Sequence, residues 1–229
     1  NGLKAKSDLF EGVNTTWTRI KGSDKIQEKI NAIVSTFDIH KPSASVKELA
    51  ELYQLINSLE GEFYAAEKLE SLGRIIKAAA GIHVEFLADD YNYPAFQLTP
   101  VKGKAEFIVR TNIPVSIKSV EPALDTSYNT LSLQENELTK FAFNHEIAIN
   151  PSNPYWLDKP IEKEKELSFV DESIPNWPEQ YGMPENVPKV EFNYVLNIAG
   201  VDVSFNQPID YKWTERVDGE LHSCLLYTS

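Results

Sequence analysis

At Gly81 the spacing of apolar residues changes from one every three or four positions to one every two, and this change divides the chain into a helical part and a sheet part. Before it, Ile26, Ile30, Ile33, Val34 and Phe37 fall on one stripe, with Lys25, Glu28 and Lys29 on the other side. The spacing predicts one amphipathic helix, with Ser23 or Asp24 as its N-cap. After the break "DIHKPSAS", Ser45 and Glu48 read as a capping box, and Val46, Leu49, Leu52, Tyr53, Ile56 and Leu59 define a second stripe. Gly61 separates these from a third helix, expected from Glu62 to about Ala80, with Phe63, Ala66, Leu69, Leu72, Ile75, Ile76 and Ala79 turned inward. Three helices with short connections can form an antiparallel bundle, but roughly 65 residues bury only a small core. The bundle is therefore expected to lean on something else.

Beyond Gly81, Ile82, Val84 and Phe86 alternate with His83, Glu85 and Leu87. The same alternation recurs in "KAEFIVR" (104–110), in "PVSIKSV" (114–120), and in "KFAFNHEIAI", where Phe141, Phe143, His145, Ile147 and Ile149 share a face. Val190, Phe192, Tyr194, Leu196 and Ile198 follow. Ala199 and Gly200 make a hairpin turn into Val201, Val203 and Phe205, and Ile209, Tyr211 and Trp213 continue past Pro208. About seven short strands with no helix between them predict an α+β chain whose second part is an antiparallel β-sandwich of the immunoglobulin-like kind. Residues 150–188 carry seven prolines and no period, and read as one long loop. The expected organisation is a linker over 1–21, a three-helix segment over 22–81, a β-sandwich over 82–215 and a second linker over 216–229.

Charge narrows the partners. With 22 basic and 34 acidic residues the chain carries −12, and it has no basic stripe interleaved with aromatics, so nucleic acid and anionic membranes are not expected partners. No run of about 18 apolar residues offers a membrane span. Cys224, the single cysteine, excludes an internal disulfide and a cysteine metal cluster. It lies in "CLLYTS", which resembles a translated sequencing adapter of the sort that ends conceptual proteins from metagenomic reads, so 224–229 carries no weight in the fold expectation.

No catalytic constellation emerges. His40, His83, His145 and His222 are scattered, without the close pair that a zinc hydrolase presents from one element. His145 reads as a strand-interior histidine with one hydrogen-bond partner. Asp89 and Asp90 in "LADDY" read as turn residues, since Leu87 stands where a ligand histidine would strengthen the motif. There is no G-x-S-x-G elbow and no phosphate-binding glycine loop. Glu162, Glu164 and Glu166 alternate with lysines as a solvated face does. Neither catalytic, cofactor-binding nor metal-ligating residues are assigned. The remaining lead is aromatic: Tyr155, Trp156, Trp177 and Tyr181 lie in the Pro-rich stretch. They serve there either as a platform for the C–H faces of sugars or as plugs over the end of the sandwich.

Several blocks, "DLFEGVNTTWTRIKGSDKIQEKI" (8–30), "NPYWL" (153–157), "YGMPENVP" (181–188) and "PIDYKWTERVDGEL" (208–221), together with the helices, resemble large bacterial PIG-L (LmbE-like) family deacetylases. In that family a Rossmann-like domain comes first, and a helical segment and β-sandwich modules follow. The resemblance implies a parent that removes an N-acetyl group from a GlcNAc-type sugar with zinc held by a His-Pro-Asp-Asp motif and a later histidine pair. None of that motif is present, so no catalytic residue carries over, and both zinc and activity would belong to a domain before Asn1. Trp17 and Arg19 would then dock against that domain. The alternative is that Trp17 packs back on the three helices. Truncation at both ends and a periplasmic or secreted parent are further expectations of the resemblance. A stand-alone glycan-binding module and a structural spacer are its rivals.

Overall fold

A computed structural model describes residues 12–59, 63–93, 98–124, 130–148 and 190–228. Among the described residues three helices, α1 (Asp24–Thr36), α2 (Val46–Asn57) and α3 (Phe63–Ala79), precede ten strands. These are β1 (Ile82–Ala88), β2 (Asn92–Tyr93), β3 (Leu98–Val109), β4 (Val115–Glu121), β5 (Leu131–Leu133), β6 (Thr139–Ala148), β7 (Glu191–Ile198), β8 (Val201–Thr214), β9 (Leu221–Leu225) and β10 (Tyr227–Thr228). The chain is thus α+β, with helices first and a mostly antiparallel sheet after.

The helices form where the stripes predict them, but their ends differ. Ser23 accepts no cap bond from the first-turn amides of α1; its hydroxyl donates back to the carbonyls of Trp17 and Ile20, the latter at 2.7 Å. Ser45 likewise makes no side-chain cap, so the expected box with Glu48 does not form. Ser45 ends a 3-10 turn, Pro42–Ser45, and already has helical φ and ψ of −87° and −8°. Without the extended backbone of an N-cap its hydroxyl is not aimed at the free amides of the first turn. The inward faces are also narrower than expected. Ala65, Leu72, Ile76, Ala79 and Ala80 are buried, whereas Ala66 and Ile75, like Val34 and Phe37 of α1, are exposed.

Seven strands follow one path in the order β5-β4-β7-β8-β1-β3-β6, with β9 beside β8. One pairing in that path departs from the antiparallel expectation: β1 runs parallel to β8 at Phe86–Ile209 and Leu87–Asp210. The cause is the length of β8, whose first half pairs with β7 from Val201 to Pro208 and whose second half passes on to β1 and β9. Residues 216–229, expected to be linker, contribute β9, and β10 pairs with β2. The 150–188 stretch lies outside the described residues.

The sheet folds back on itself around an aromatic core. Phe86 on β1 stacks on Phe192 of β7 at 4.2 Å between centroids, although β8 separates the two strands in the sheet. Phe107, Phe143 and Tyr194 close around them edge-on or tilted. On the outer face Glu85 and Glu106 stand directly opposite each other, a repulsive pair if left alone. Lys212 pairs with Glu85, which His83 Nε2 also meets at 3.0 Å, and Lys104 and Lys140 reach Glu106 at 2.9 and 3.0 Å.

The helical layer leans on this sheet where β1 and β8 part. Both α2 and α3 touch β8, and α3 also touches β1. Gly73 of α3 lies against Val203 and Phe205, and Tyr53 of α2 accepts the amide of Ser204 at 3.4 Å. At its C-terminus α3 ends on Gly81, φ +62°, whose carbonyl accepts from Arg110 while Thr111 donates to Ala80.

Candidate functional site

With one side of the helices committed to the sheet, their other side forms an open groove of about 430 Å3. Leu49, Leu52 and Ile56 of α2 are its floor. Ile30, Ile33, Val34 and Phe37 make one wall, and Leu72, Ile75 and Ala79 the other. Only Lys68 and Ser71 interrupt this apolar lining. Val34 is 72% exposed and Ile75 54%, so the second ridge of each wall faces water where a three-helix bundle needs nothing apolar. From Lys68 to Ala79 the α3 wall runs about 17 Å, or three helical turns.

Trp17 closes one end. It sits in a 3-10 turn, Trp17–Arg19, just before α1; its amide donates to Gln27 Oε1 at 3.1 Å and its carbonyl accepts from Ser23. The indole is half-buried, packed against the helical core while lining the groove. Arg19 lies over the Tyr64 ring at 4.4 Å and so fastens the same turn to α3. Asn14 arranges the approach: its Oδ1 accepts from the amide and hydroxyl of Thr16, and its Nδ2 donates to Thr18. Trp17 and Arg19 thus stand together at the start of the groove. Tyr155, Trp156 and Trp177 lie outside the described residues.

Several titratable residues take part in packing and turns. Lys77, beneath α3, donates to Tyr194 Oη at 3.0 Å and reaches Gln207 Oε1 at 3.4 Å, with its ammonium over the rings of Tyr194 and Phe205. Burial lowers its pKa against the pull of Glu85, and burial raises that of Tyr194 well above the phenol range. Asp90 Oδ1 accepts from the amides of Tyr91 and Asn92, an Asx-turn of the kind expected at "LADDY". His145 stacks on Phe143, and its buried Nε2 has no hydrogen-bond partner among the described residues, where one was expected. Among the described residues no three His, Cys, Asp or Glu side chains converge as a metal site would need. No described helix is long and apolar enough to cross a membrane.

The sequence singles out Trp17 but does not by itself show the groove. Its signal was present in Val34, Phe37 and Ile75, which widen two stripes beyond what packing on α2 and the sheet uses. A second feature that the sequence does not show is a row of rings, Tyr91, Tyr211, Trp213 and His222, that joins β8 to β9 and the turn after β1. Comparison of the chain with models of protein families, with curated proteins and with solved structures finds no match.

Proposed function

We propose that this chain is an accessory, non-catalytic region whose helical groove seats a neighbouring catalytic domain of the same protein. The open apolar groove carries this reading. Trp17, at the groove's rim, lies in the segment that leads into α1. A domain joined at that end is held beside the groove at high effective concentration, so modest apolar contact suffices to seat it. Trp17 and Arg19, fixed by their own bonds to α1 and α3, are the anchors, and docking would cover Val34, Phe37 and Ile75.

The identity of that domain rests on the resemblance to PIG-L deacetylases. The whole protein would be a zinc-dependent de-N-acetylase of GlcNAc-type amino sugars or their conjugates, in the periplasm or secreted. The metal and its chemistry would belong to that other domain, as the resemblance implies. The sheet, folded around Phe86 and Phe192, would be an immunoglobulin-like sandwich of the type appended to such enzymes.

Sequencing the DNA on both sides of the reading frame tests this directly. An upstream frame encoding a strand followed by His-x-Asp-Asp is the expected result, and the full protein would then release acetate from an N-acetylated sugar only with zinc present. A start codon immediately before Asn1 would overturn the enzyme reading in favour of a stand-alone module or a spacer.

A further inference from the structure

The geometry points to a binding site away from the groove: the row Tyr91–Tyr211–Trp213–His222 takes the C–H face of an uncharged, β-linked pyranose chain. Tyr211 and Trp213 are two positions apart on β8 and so share a face. β9 sets His222 opposite Trp213, and the parallel pairing of β1 with β8 brings the turn holding Tyr91 beside Tyr211. The four centroids follow one another at 5.4, 5.7 and 5.1 Å.

Part of the row's role is structural, because cross-strand rings stabilise a strand pair. Two observations go beyond that. Tyr91 is 50% exposed and Trp213 38%, so each leaves part of its surface open to solvent. From Tyr211 to His222 successive planes lie within 23° of parallel. Stacked rings in contact are about 3.5 Å apart, so the observed spacings slide each ring roughly 4 Å over the next. The result is a row of rings, each partly covered by its neighbour, whose uncovered apolar surface reaches solvent chiefly at Tyr91 and Trp213.

A pyranose with equatorial substituents presents just such a complement, apolar C–H groups on its faces and hydroxyls at its edges. The steps are about one sugar unit apart. Exposed Asp89 and Asp90, beside Tyr91, offer acceptors for hydroxyls. They also join the chain's net −12 in repelling polyanionic glycans, which rules against an anionic chain as the ligand.

The test is an NMR titration with cellohexaose and chitohexaose, following the backbone amide resonances of Asn92, Lys212 and Ser223, which every variant retains. α-Linked maltohexaose is the comparison. Binding of at least one β-linked probe is expected, weakened about tenfold or more by Trp213→Ala and by Tyr91→Ala, and retained by Trp213→Phe. Maltohexaose should bind about tenfold more weakly. If Trp213→Ala disturbs β8–β9, Tyr91→Ala, in a turn, supplies the same readout. No shift with either β-linked probe at millimolar concentration overturns the proposal. So does binding that survives both alanine variants, which would place the sugar elsewhere, as on Trp156 or Trp177. The groove variant Ile75→Lys should leave the titration unchanged, so this site and the docking face stand or fall separately.

Discussion

Gly103 shows how much a single atom decides in this core. It lies on β3 opposite Ala88 and Phe143, and a Cβ there would sit 2.1 Å from the Leu87 carbonyl oxygen and 2.5 Å from Phe143 Cζ. The first contact is with backbone, which cannot rotate away. Gly103→Ala should therefore lose about 3 kcal/mol, read as a lower urea midpoint; an unchanged midpoint would mean that β1 and β3 can separate freely. Ala199 is the opposite case. It adopts φ +50° beside Gly200 at +92°, the two left-handed positions of a type I′ hairpin. Ala199→Gly should raise stability by about 0.5 kcal/mol, since relief of the left-handed strain exceeds the added freedom of the unfolded chain. The hairpin was legible because its turn residues are adjacent. Gly103 was not, because its reason lies on two other strands.

At the scale of elements, helix and strand phases were legible and their partners were not. Lys77 falls on α3 at a position a stripe reading treats as polar and solvated. Tertiary packing puts its ammonium between α3, β7 and β8. Because burial lowers its pKa, the unfolded chain holds this proton more tightly. Stability should rise as pH climbs from the folded value of Lys77 toward about 10.5. Tyr194 works the other way: with its pKa raised, ionisation of the unfolded chain removes stability above about pH 10. Replacing Lys77 with Met isolates the first effect. The variant should be nearer to, or above, the parent in urea midpoint at about pH 7 and lose that relative standing by about pH 10. A gap between the two that does not change with pH would show that Lys77 is solvated. On the outer face, burial pushes Glu106 upward but Lys104 and Lys140 outweigh it, so its pKa is lowered. Its contribution is present above about pH 4.5 and lost as pH falls through the folded value. Glu106→Gln should flatten the acid limb of the midpoint against pH.

For the whole molecule, the groove makes a prediction that separates docking from folding. Val34 and Ile75 are exposed, so Val34→Lys with Ile75→Lys should change the midpoint by no more than about 0.5 kcal/mol per site. The neighbouring Ile76→Lys, at a fully buried position, should unfold the helical layer. In a full-length protein that carries the neighbouring domain, the double groove variant should expose the 1–21 segment to limited proteolysis while its thermal transition persists. Equal protection in the parent and the variant would show that the groove does not seat that domain.

The residue order alone determined the three helices and the longer strands, because period is a local property that each stripe carries in itself; it missed the short β2 and β5, and β9 and β10 in a stretch that reads as linker. It also determined the Gly81 boundary and the Ala199–Gly200 turn, where neighbouring residues supply the cause. Only the tertiary structure decided that β8 bends from β7 to β1 and β9, that α3 enters where β1 and β8 part, and that Val34, Phe37 and Ile75 remain uncovered. An apolar residue carries the same periodic signal whether it meets the core or water. Its burial depends on what other segments bring to it, and those contacts join residues as far apart in the chain as Lys77 and Gln207.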